Sequence, residues 1–218
     1  MELKGPLIRR GHPPHSAAKG KDGFAPFRIL FRVALFLFMF ILFFHLPGSP
    51  PGIKYLLFGT QGKEQTVKEI LAVLERHETG LANVTKEELA EVIYEEATRY
   101  DYDPKFILAL IDIESSFHNW SVSEQGAKGL MQIMPYVAQS IAQELGIEWS
   151  GDRTLFNPFL NIRMGIHYLS RLILDFDDLG VALAAYNYGP TYIKGLIERK
   201  QRIPASYYRR ILTVYQGL

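Results

Sequence analysis

A strongly apolar stretch near the N-terminus precedes the rest of the chain. It runs from Ile29 to Leu46 and reads ILFRVALFLFMFILFFHL, with Arg32 as its only formally charged residue. Its length is close to the roughly 20 apolar residues that a helix needs to cross a bilayer. The pattern therefore predicts one transmembrane helix over 29–46.

Positive charge is concentrated on the N-terminal side of this stretch. The basic residues before it or at its start are Lys4, Arg9, Arg10, Lys19, Lys21, Arg28 and Arg32, the acidic ones are Glu2 and Asp22, and only Lys54 and Lys63 follow nearby. Because cytoplasmic flanks are enriched in Lys and Arg, this asymmetry predicts a signal anchor with everything after Leu46 outside the cytoplasm. A cleaved signal peptide is the alternative, since Val33 to Phe44 has the length of an h-region, but the following HLPGSPPG lacks an A-x-A-like site.

Composition divides the chain into four parts. Residues 1–28 mix Gly, Pro, Lys and Arg without an apolar period, which predicts a disordered cytoplasmic tail. Residues 29–46 form the anchor, and residues 47–62, which read PGSPPGIKYLLFGTQG, are predicted to be a linker. The folded domain is expected to span 63–218.

From Lys63 onwards the apolar residues recur with a helical period. Within Glu64 to His77 they are Val67, Ile70, Leu71 and Leu74. Thr85 and Glu88 have the spacing of a capping box, which predicts a helix from there to about Tyr100. Asp103 and Pro104 have the residue types of an N-cap and a first helical position, so a third helix is expected after them.

Further helix signals follow to the C-terminus. Pro135 to Leu145 is predicted to be a helix stopped by Gly146, and Asn157 with Pro158 opens another that runs to about Asp175. The segments LGVALAAYNYGP, which contains a Gly-rich break, and TYIKGLIERK come next, and a last helix is expected after Pro204. No alternating strands or repeats are evident. The sequence predicts a mostly α domain.

Composition excludes several classes of function. The chain has 218 residues, a net charge of +1 and no basic stripe interleaved with aromatics, which argues against nucleic-acid binding. It has no cysteine, so disulfides, thiolate metal sites and cysteine nucleophiles are excluded. Its six histidines show no HExxH-like spacing, so no metal or cofactor is predicted.

Glu114 is the residue whose position is hardest to explain by packing alone. Ile107, Leu110, Ile111 and Glu114 fall at i, i+3, i+4 and i+7, so the carboxylate continues the apolar stripe of its helix. Partial desolvation raises the pKa of a carboxyl towards that of a useful general acid. A structural role, as a helix-end residue or the partner of a buried Lys or Arg, is the alternative.

Four blocks of the sequence, in order, resemble the catalytic domain of soluble-type lytic transglycosylases, relatives of goose-type lysozyme. They are ALIDIESSF, SEQGAKGLMQIMP, NPFLNIRMGIHYL and ALAAYNYGP, and the similarity covers roughly Glu88 to Leu212. The resemblance implies a lysozyme-like helical fold with a long saccharide groove. It also implies cleavage of the β-1,4 bond between N-acetylmuramic acid and N-acetylglucosamine in peptidoglycan glycan strands, without a cofactor.

The resemblance assigns roles to individual residues. Glu114 matches the single catalytic acid, which first protonates the glycosidic oxygen and then acts as base towards the C6 hydroxyl, closing a 1,6-anhydro ring. The matching substrate contacts are Ser123, Met131, Gln132, Tyr186 and Asn187, with Met131 as an apolar wall of the groove and the Tyr186 hydroxyl reaching towards Glu114. Gly126 and Gly129 are expected to allow tight backbone turns. Tyr188 and Tyr192 remain open between sugar stacking and packing.

The residues agree with a mechanism that uses one carboxylate. Most glycosidases use two, about 5 to 9.5 Å apart. Glu124 is the only acid in the loop that follows Glu114, at a position where the family varies. A hydrolytic muramidase on the same fold and a non-catalytic peptidoglycan-binding assembly protein are the alternatives.

The C-terminal segment QRIPASYYRRIL departs from the family pattern. Arg209 and Arg210 resemble its YxxRVL-like helix, but the acidic residue and the Thr that precede this helix in many relatives are missing, so no site residues are assigned there. With the anchor, the resemblance implies a single-pass protein of the bacterial inner membrane whose catalytic domain faces the periplasm. The envelope machinery that recruits it is not predicted.

Overall fold

The computed structural model describes the backbone of residues 51–218 and side chains from Gly62 onwards. The predicted tail, the predicted membrane helix over 29–46 and the start of the predicted linker lie outside the described residues. Within the described part, no helix is both long enough and apolar enough to cross a membrane. Residues Phe58–Leu218 form one compact unit.

Helices account for most of the described residues. In chain order they are α1 (Pro51–Leu74), α2 (Lys86–Arg99), α3 (Pro104–Ser115), α4 (Pro135–Leu145), α5 (Asp152–Leu155), α6 (Pro158–Phe176), α7 (Leu179–Tyr188), α8 (Pro190–Glu198) and α9 (Ser206–Gly217). Between 51 and 218 the only β-type pairing is two isolated antiparallel bridges, from Lys128 to Val122 and to Ile133. The prediction of a mostly α domain is confirmed.

The predicted helix starts rest on the expected capping contacts. The Thr85 hydroxyl accepts from the Glu88 amide at 3.1 Å, and the Glu88 carboxylate accepts from the Thr85 amide at 2.9 Å, which completes a capping box. Asp103 accepts from the Lys105 amide at 2.9 Å ahead of Pro104. These local contacts satisfy backbone donors that have no partner inside the helix.

The observed helices depart from the predicted pattern in two places. Helix α1 begins at Pro51, inside the segment predicted to be a linker, and ends at Leu74, before the predicted end at His77. Proline is tolerated in a first helical turn, so Pro51 opens this helix although the Pro-rich composition suggested a linker. Helix α5 was not predicted, because its four residues are too few to show a helical period.

Helix α3 lies at the centre of the core. Five consecutive residues, Ile107 to Ile111, are at most 2% exposed. Burial on all sides is expected for a helix that is apolar around its whole circumference. Helix α9 packs against both α3 and α7, while α2 packs against α3 and α6. This packing brings the C-terminal helix next to α3, which carries Glu114 in its last turn.

One buried amide holds the GLMQ loop, Gly129 to Gln132, in place. Asn161 of α6 is fully buried, and its Oδ1 accepts from the Met131 amide at 2.8 Å. Its Nδ2 donates to the carbonyls of Leu155, at 2.9 Å, and Lys128, at 3.1 Å. A Cβ on Gly129 would lie 2.3 Å from Asn161 Nδ2, so only glycine fits beside this amide.

We expect Gly129→Ala to destabilise the domain more than Gly126→Ala. Both glycines have left-handed backbones, with φ of +82° and +86°, but a Cβ at Gly126 would meet no atom within 4 Å. Gly126→Ala therefore costs only the backbone strain, about 1–2 kcal/mol. Gly129→Ala also displaces Asn161 from its three hydrogen bonds and is expected to cost at least about 2 kcal/mol more. Urea unfolding of the two variants measures the difference, and equal losses would contradict this role of Asn161.

Candidate active site

Glu114 lies in the last turn of α3, on the stripe that the sequence predicts. Ile107, Leu110 and Ile111 of this stripe are at most 1% exposed, and Glu114 is partly buried at its end. The chain then turns sharply, because Ser116 and Phe117 both have left-handed backbones, with φ of +50° and +64°. Helix α3 therefore ends one residue after Glu114.

Ser115 connects this turn to the GLMQ loop. Its hydroxyl lies 2.8 Å from the Leu130 carbonyl and 3.2 Å from the Ile111 carbonyl, within hydrogen-bond distance of both. Leu130 and Phe117 are both completely buried, so the connection lies in the core. The serine that follows the acid therefore holds the loop against the end of α3.

Tyr207 of α9 donates a hydrogen bond from its hydroxyl to Glu114 Oε1. The tyrosine is only 3% exposed, so the contact is shielded from water. Arg210 is one helical turn further along α9, is exposed, and adds a positive charge near the carboxylate. Helix α9 thus supplies both the donor and the cation that act on Glu114.

Burial raises the pKa of Glu114 to about 7, from an ordinary value of 4.5. Loss of water around the charged form is the main cause, and it outweighs the hydrogen bond from Tyr207 and the charge of Arg210, which both lower the pKa. A carboxyl with a pKa near 7 is partly protonated at neutral pH and can both donate and accept a proton.

Tyr186 of α7 lies beside Glu114 but makes its hydrogen bond elsewhere. Its hydroxyl donates to the Met131 carbonyl at 2.8 Å, and its ring packs on Tyr168 at 5.3 Å between centroids. Desolvation, followed by the negative charge of Glu114, raises the pKa of Tyr186 well above its usual range. The Tyr186 hydroxyl thus binds the Met131 carbonyl, and the hydrogen bond to the Glu114 carboxylate comes from Tyr207.

Ser123 and Gln132 lie in the loop between α3 and α4, where each braces the backbone. The Ser123 hydroxyl accepts from the Ala127 amide at 3.0 Å. The Gln132 amide donates to the carbonyls of Gly129, at 2.8 Å, and Ser121, at 3.1 Å. Both side chains are partly exposed, so the hydroxyl of Ser123 and the carbonyl oxygen of Gln132 can still face a ligand.

The prediction that the Met131 side chain forms a wall of the groove is wrong for this structure. Met131 is completely buried, and a Cβ on Gly165 would lie 2.4 Å from its sulfur. The side chain fills the space against α6 that this glycine leaves, so it belongs to the core. Only its backbone takes part in the site, through the contacts to Tyr186 and Asn161.

Three more predicted residues lie on the surface of α7 and α8. Asn187 is exposed, and no contact places it in a supporting role. Tyr188 and Tyr192 are 41% and 51% exposed, with ring centroids 6.3 Å apart. Their exposure favours availability to a ligand over core packing.

The structure adds three residues that sequence reasoning did not assign. Tyr207 and Arg210 act on Glu114 from α9, and Asn161 supports the GLMQ loop from α6. The spacing of Tyr207 and Arg210, three residues apart on one helix face, was the available signal. The sequence assigns no site residues to this helix, because the acidic residue and the Thr that precede it in many relatives are missing.

The arrangement suits proton transfer by a single group. One carboxyl with a pKa near 7 accepts a hydrogen bond from a buried phenol. The site residues Ser123, Gln132, Tyr186, Tyr207 and Arg210 bring hydroxyl, amide and guanidinium groups but no second carboxylate. A reaction at this site therefore relies on one acid that gives and then takes a proton.

The family of this domain follows from a comparison with known protein families, in which residues 91–208 match the Transglycosylase SLT domain. The chain belongs to the transglycosylase SLT domain family. The matched residues include Glu114, the GLMQ loop, Tyr186 and Tyr207. The resemblance inferred from the four sequence blocks is thereby confirmed.

Curated relatives of this SLT domain are longer proteins. A membrane-bound lytic murein transglycosylase C from Actinobacillus pleuropneumoniae is 40% identical over 78 residues, which cover 35% of this chain and 21% of the relative. A membrane-bound lytic murein transglycosylase F from Desulfosudis oleivorans is 34% identical over 110 residues, which cover 47% of this chain and 22% of the relative. The similarity thus spans about a fifth of the length of these relatives.

Solved structures of soluble lytic transglycosylases are also similar over part of the chain. An inactive mutant of the enzyme Slt from Pseudomonas aeruginosa is 28% identical, over 57% of this chain and 21% of that chain, with a TM-score of 0.46. The 70 kDa enzyme from Escherichia coli is 25% identical, over 73% of this chain and 26% of that chain, with a TM-score of 0.47.

We expect Glu114→Gln to stabilise the protein at pH 8 but not at pH 4. A folded-state pKa of about 7 exceeds the ordinary 4.5, so the native state holds its proton more tightly than the unfolded chain. The wild-type protein therefore loses stability as pH rises between these values, by about 3 kcal/mol in total, and the glutamine variant does not. Urea unfolding at several pH values measures this difference.

Asp112→Asn is the matched control for this experiment. Asp112 lies two residues earlier on α3, so the substitution removes the same charge from the same helix without touching the carboxyl of Glu114. It is expected to leave the pH dependence of wild type in place. A glutamine variant that is less stable than wild type at pH 8 would contradict the desolvated environment inferred for Glu114.

Proposed function

We propose that this chain is a peptidoglycan lytic transglycosylase, with Glu114 as its only catalytic carboxyl. The observation that carries the proposal is a partly buried acid with a pKa of about 7, held by Tyr207 inside an SLT domain. The names of the curated relatives, which are lytic murein transglycosylases, support the same activity. The substrate is the glycan strand of peptidoglycan, and the bond cleaved joins N-acetylmuramic acid to N-acetylglucosamine.

Glu114 acts twice in the proposed reaction. Protonated Glu114 donates its proton to the glycosidic oxygen, and the C1–O bond breaks as positive charge develops on the muramic acid ring. The carboxylate that results accepts the proton of the C6 hydroxyl, whose oxygen bonds to C1. Glu114 is then protonated again, so the net reaction exchanges one C–O bond for another and needs neither water nor a cofactor.

The ring closure is favoured over attack by water because the nucleophile is part of the substrate. A well-aligned intramolecular hydroxyl has an effective molarity of about 10⁵ to 10⁸ M. A hydrolase that activates water directly needs a group that positions the water, usually a second carboxylate about 6.5 to 9.5 Å from the first. The charged side chain that acts on Glu114 is Arg210, a cation that cannot serve as a base.

Two surfaces of the site are proposed to hold the saccharide. The Ser123 hydroxyl and the Gln132 carbonyl face the strand from the GLMQ side, where the Gln132 amide hydrogens are already used by the loop. Tyr188 and Tyr192 offer exposed rings on the α7–α8 side, and Asn187 is exposed between Tyr186 and Tyr188. Met131 contributes its backbone, which positions Tyr186.

We also propose that the enzyme is a single-pass protein of the bacterial inner membrane, with its domain in the periplasm. The apolar stretch 29–46 and the basic residues before it support this topology. The names of the relatives, which describe membrane-bound enzymes, agree with a membrane location. Murein within reach of the membrane is then the accessible substrate.

Digestion of purified sacculi is expected to release muropeptides that end in 1,6-anhydro-N-acetylmuramic acid. These products are lighter by one water than the products of a hydrolase, so mass spectrometry identifies them. Glu114→Gln is expected to abolish release of muropeptides, while the variant protein still sediments with the sacculi. Reducible, hydrated muramic ends as the main product would show a hydrolase, and cleavage by Glu114→Gln would show that another group is the acid.

The pH dependence of the reaction separates the two tyrosines. Because Glu114 must start protonated, kcat/KM is expected to fall as pH rises through about 7. Tyr207→Phe removes a hydrogen bond that lowers the pKa of Glu114, so the fall in kcat/KM moves to higher pH. Tyr186→Phe loses the contact to the Met131 carbonyl instead. Its turnover is expected to fall by less than about 100-fold, while the pH at which kcat/KM falls stays the same. Equal shifts in both variants would contradict this assignment.

A further inference from the structure

We propose that the domain has a second saccharide-binding site, in a cavity lined in part by the segment that leaves α3. The cavity has a volume of about 350 Å³ and lies where three segments meet: the loop between α1 and α2, the residues after α3, and the stretch from α5 to the start of α6. Its volume falls in the range of small-molecule sites. None of its lining residues belongs to the Glu114 site.

An aromatic ring is held rigidly at this cavity. Trp120 is 48% exposed, yet its Nε1 donates to the Gly80 carbonyl at 2.6 Å and its ring packs on Phe156 at 5.1 Å between centroids. Gly80 has a φ of +65°, and a Cβ there would come within 3.0 Å of the indole. The indole is therefore fixed in place although much of it faces solvent, so a ligand that stacks on it orders no further side chain.

Polar groups with unused capacity lie beside this ring. Asn119 is 2% exposed and lines the cavity; its Nδ2 donates to the Phe156 carbonyl at 2.9 Å, while its Oδ1 has no partner among the described residues. The Oδ1 atom is itself closed off from solvent, so a hydroxyl or amide donor of a ligand meets it only after a small shift of the Asn119 side chain. Because an unpaired buried carbonyl is unfavourable, pairing with a ligand donor favours that shift. Asn83 adds a second amide to the lining.

The charges of the cavity favour a neutral polar ligand. Asp152 is paired with Lys128 at 2.6 Å, so these two charges offset each other. Arg153 is exposed, and within the described residues no acidic group lies within 4.0 Å of its guanidinium. One free guanidinium suits an acetamido or hydroxyl oxygen, whereas a polyanion requires several cations.

These groups together fit an N-acetylated hexosamine. A pyranose presents a C–H face that stacks on an indole, hydroxyl donors for the Asn119 oxygen, and an acetamido carbonyl that accepts from Arg153. The choice of this sugar rests on the proposed function, because glycan strands of peptidoglycan consist of such units. A strand bound at both places is held with a higher effective concentration at each.

A short segment of chain joins the two sites, so a strand long enough to span them is proposed to engage both. Asn119 and Trp120 follow Glu114 by only a few residues, and the intervening Phe117 is completely buried. The backbone N–H of Asn119 donates to the Thr79 carbonyl at 2.8 Å, which fastens the segment to the α1–α2 loop. The second site is therefore expected to increase affinity for long strands and to leave the cleavage of short ones unchanged.

Tryptophan fluorescence tests binding directly. The chain has two tryptophans, so Trp149→Phe leaves Trp120 as the only reporter, and Glu114→Gln in the same chain prevents cleavage. Titration with the tetramer of N-acetylglucosamine is expected to change the Trp120 emission saturably. Adding Arg153→Ala to the same chain is expected to weaken the affinity for the tetramer at least fivefold. Free stem tetrapeptide is expected to have no effect. A response to the peptide but not to the saccharide would overturn the proposal.

Sedimentation with sacculi separates this proposal from the proposed function. Arg153→Ala and Asn83→Ala in the full chain are expected to weaken binding to sacculi at least threefold while the rate on a short soluble glycan stays at the wild-type value. Leu174→Ala, an 82% exposed apolar residue on α6, is the control and is expected to bind as wild type. If the Arg153 and Asn83 variants bind sacculi as strongly as the wild-type protein, the second site is overturned and the proposed function is not. Absence of anhydro products would overturn the proposed function, and the fluorescence response would still establish the second site.

Discussion

The burial of the Glu114 carboxyl between α3 and α9 is the constraint on which the rest of the site depends. Burial raises the pKa of this group, and the same burial makes its ionised form costly for the fold. The Tyr207 hydroxyl offsets part of this cost, because it donates to the carboxylate from a side chain that is itself buried. The last helix is therefore as necessary to the acid as the helix that carries it.

The loop that follows α3 must also be held in place for Glu114 to act. In the proposed reaction the acid at the end of α3 acts only if the loop that follows holds a saccharide at a fixed distance, and this loop has almost no regular structure of its own. Asn161 supplies the missing hydrogen bonds from α6, and Gly129 leaves the space for its amide. The GLMQ motif therefore contains core and framework residues beside a polar side chain that faces outward, and Met131 is one of the core residues.

The two proposed saccharide sites use different physical solutions. Around Glu114 the chain excludes water and places donors against one charge, which suits chemistry. Around Trp120 it presents a rigid ring at an open cavity, beside a buried amide oxygen that has no partner among the described residues, which suits binding without chemistry. An enzyme whose substrate is a long insoluble polymer gains from such a division, because a strand held at one place returns quickly to the other.

The sequence by itself determined the features that depend on local interactions. The capping box at Thr85, the Asp103–Pro104 start and the stripe that ends at Glu114 all follow from contacts between residues a few positions apart, and the structure contains each of them. The four family blocks likewise indicated the SLT domain. Helix α5 and the start of α1 were missed, because a four-residue helix shows no period and prolines at a helix start resemble a linker.

Only the tertiary structure decided which side chains meet. Tyr207 lies 93 positions from Glu114, and Asn161 lies 30 positions from Met131, so no local pattern relates them. The docking of α9 on α3 and α7 selected Tyr207 as the donor to the acid and left Tyr186 to hold a backbone carbonyl. Side-chain chemistry can be read along a chain, but which partner removes water from a carboxylate depends on how helices pack, and packing is a property of the whole core.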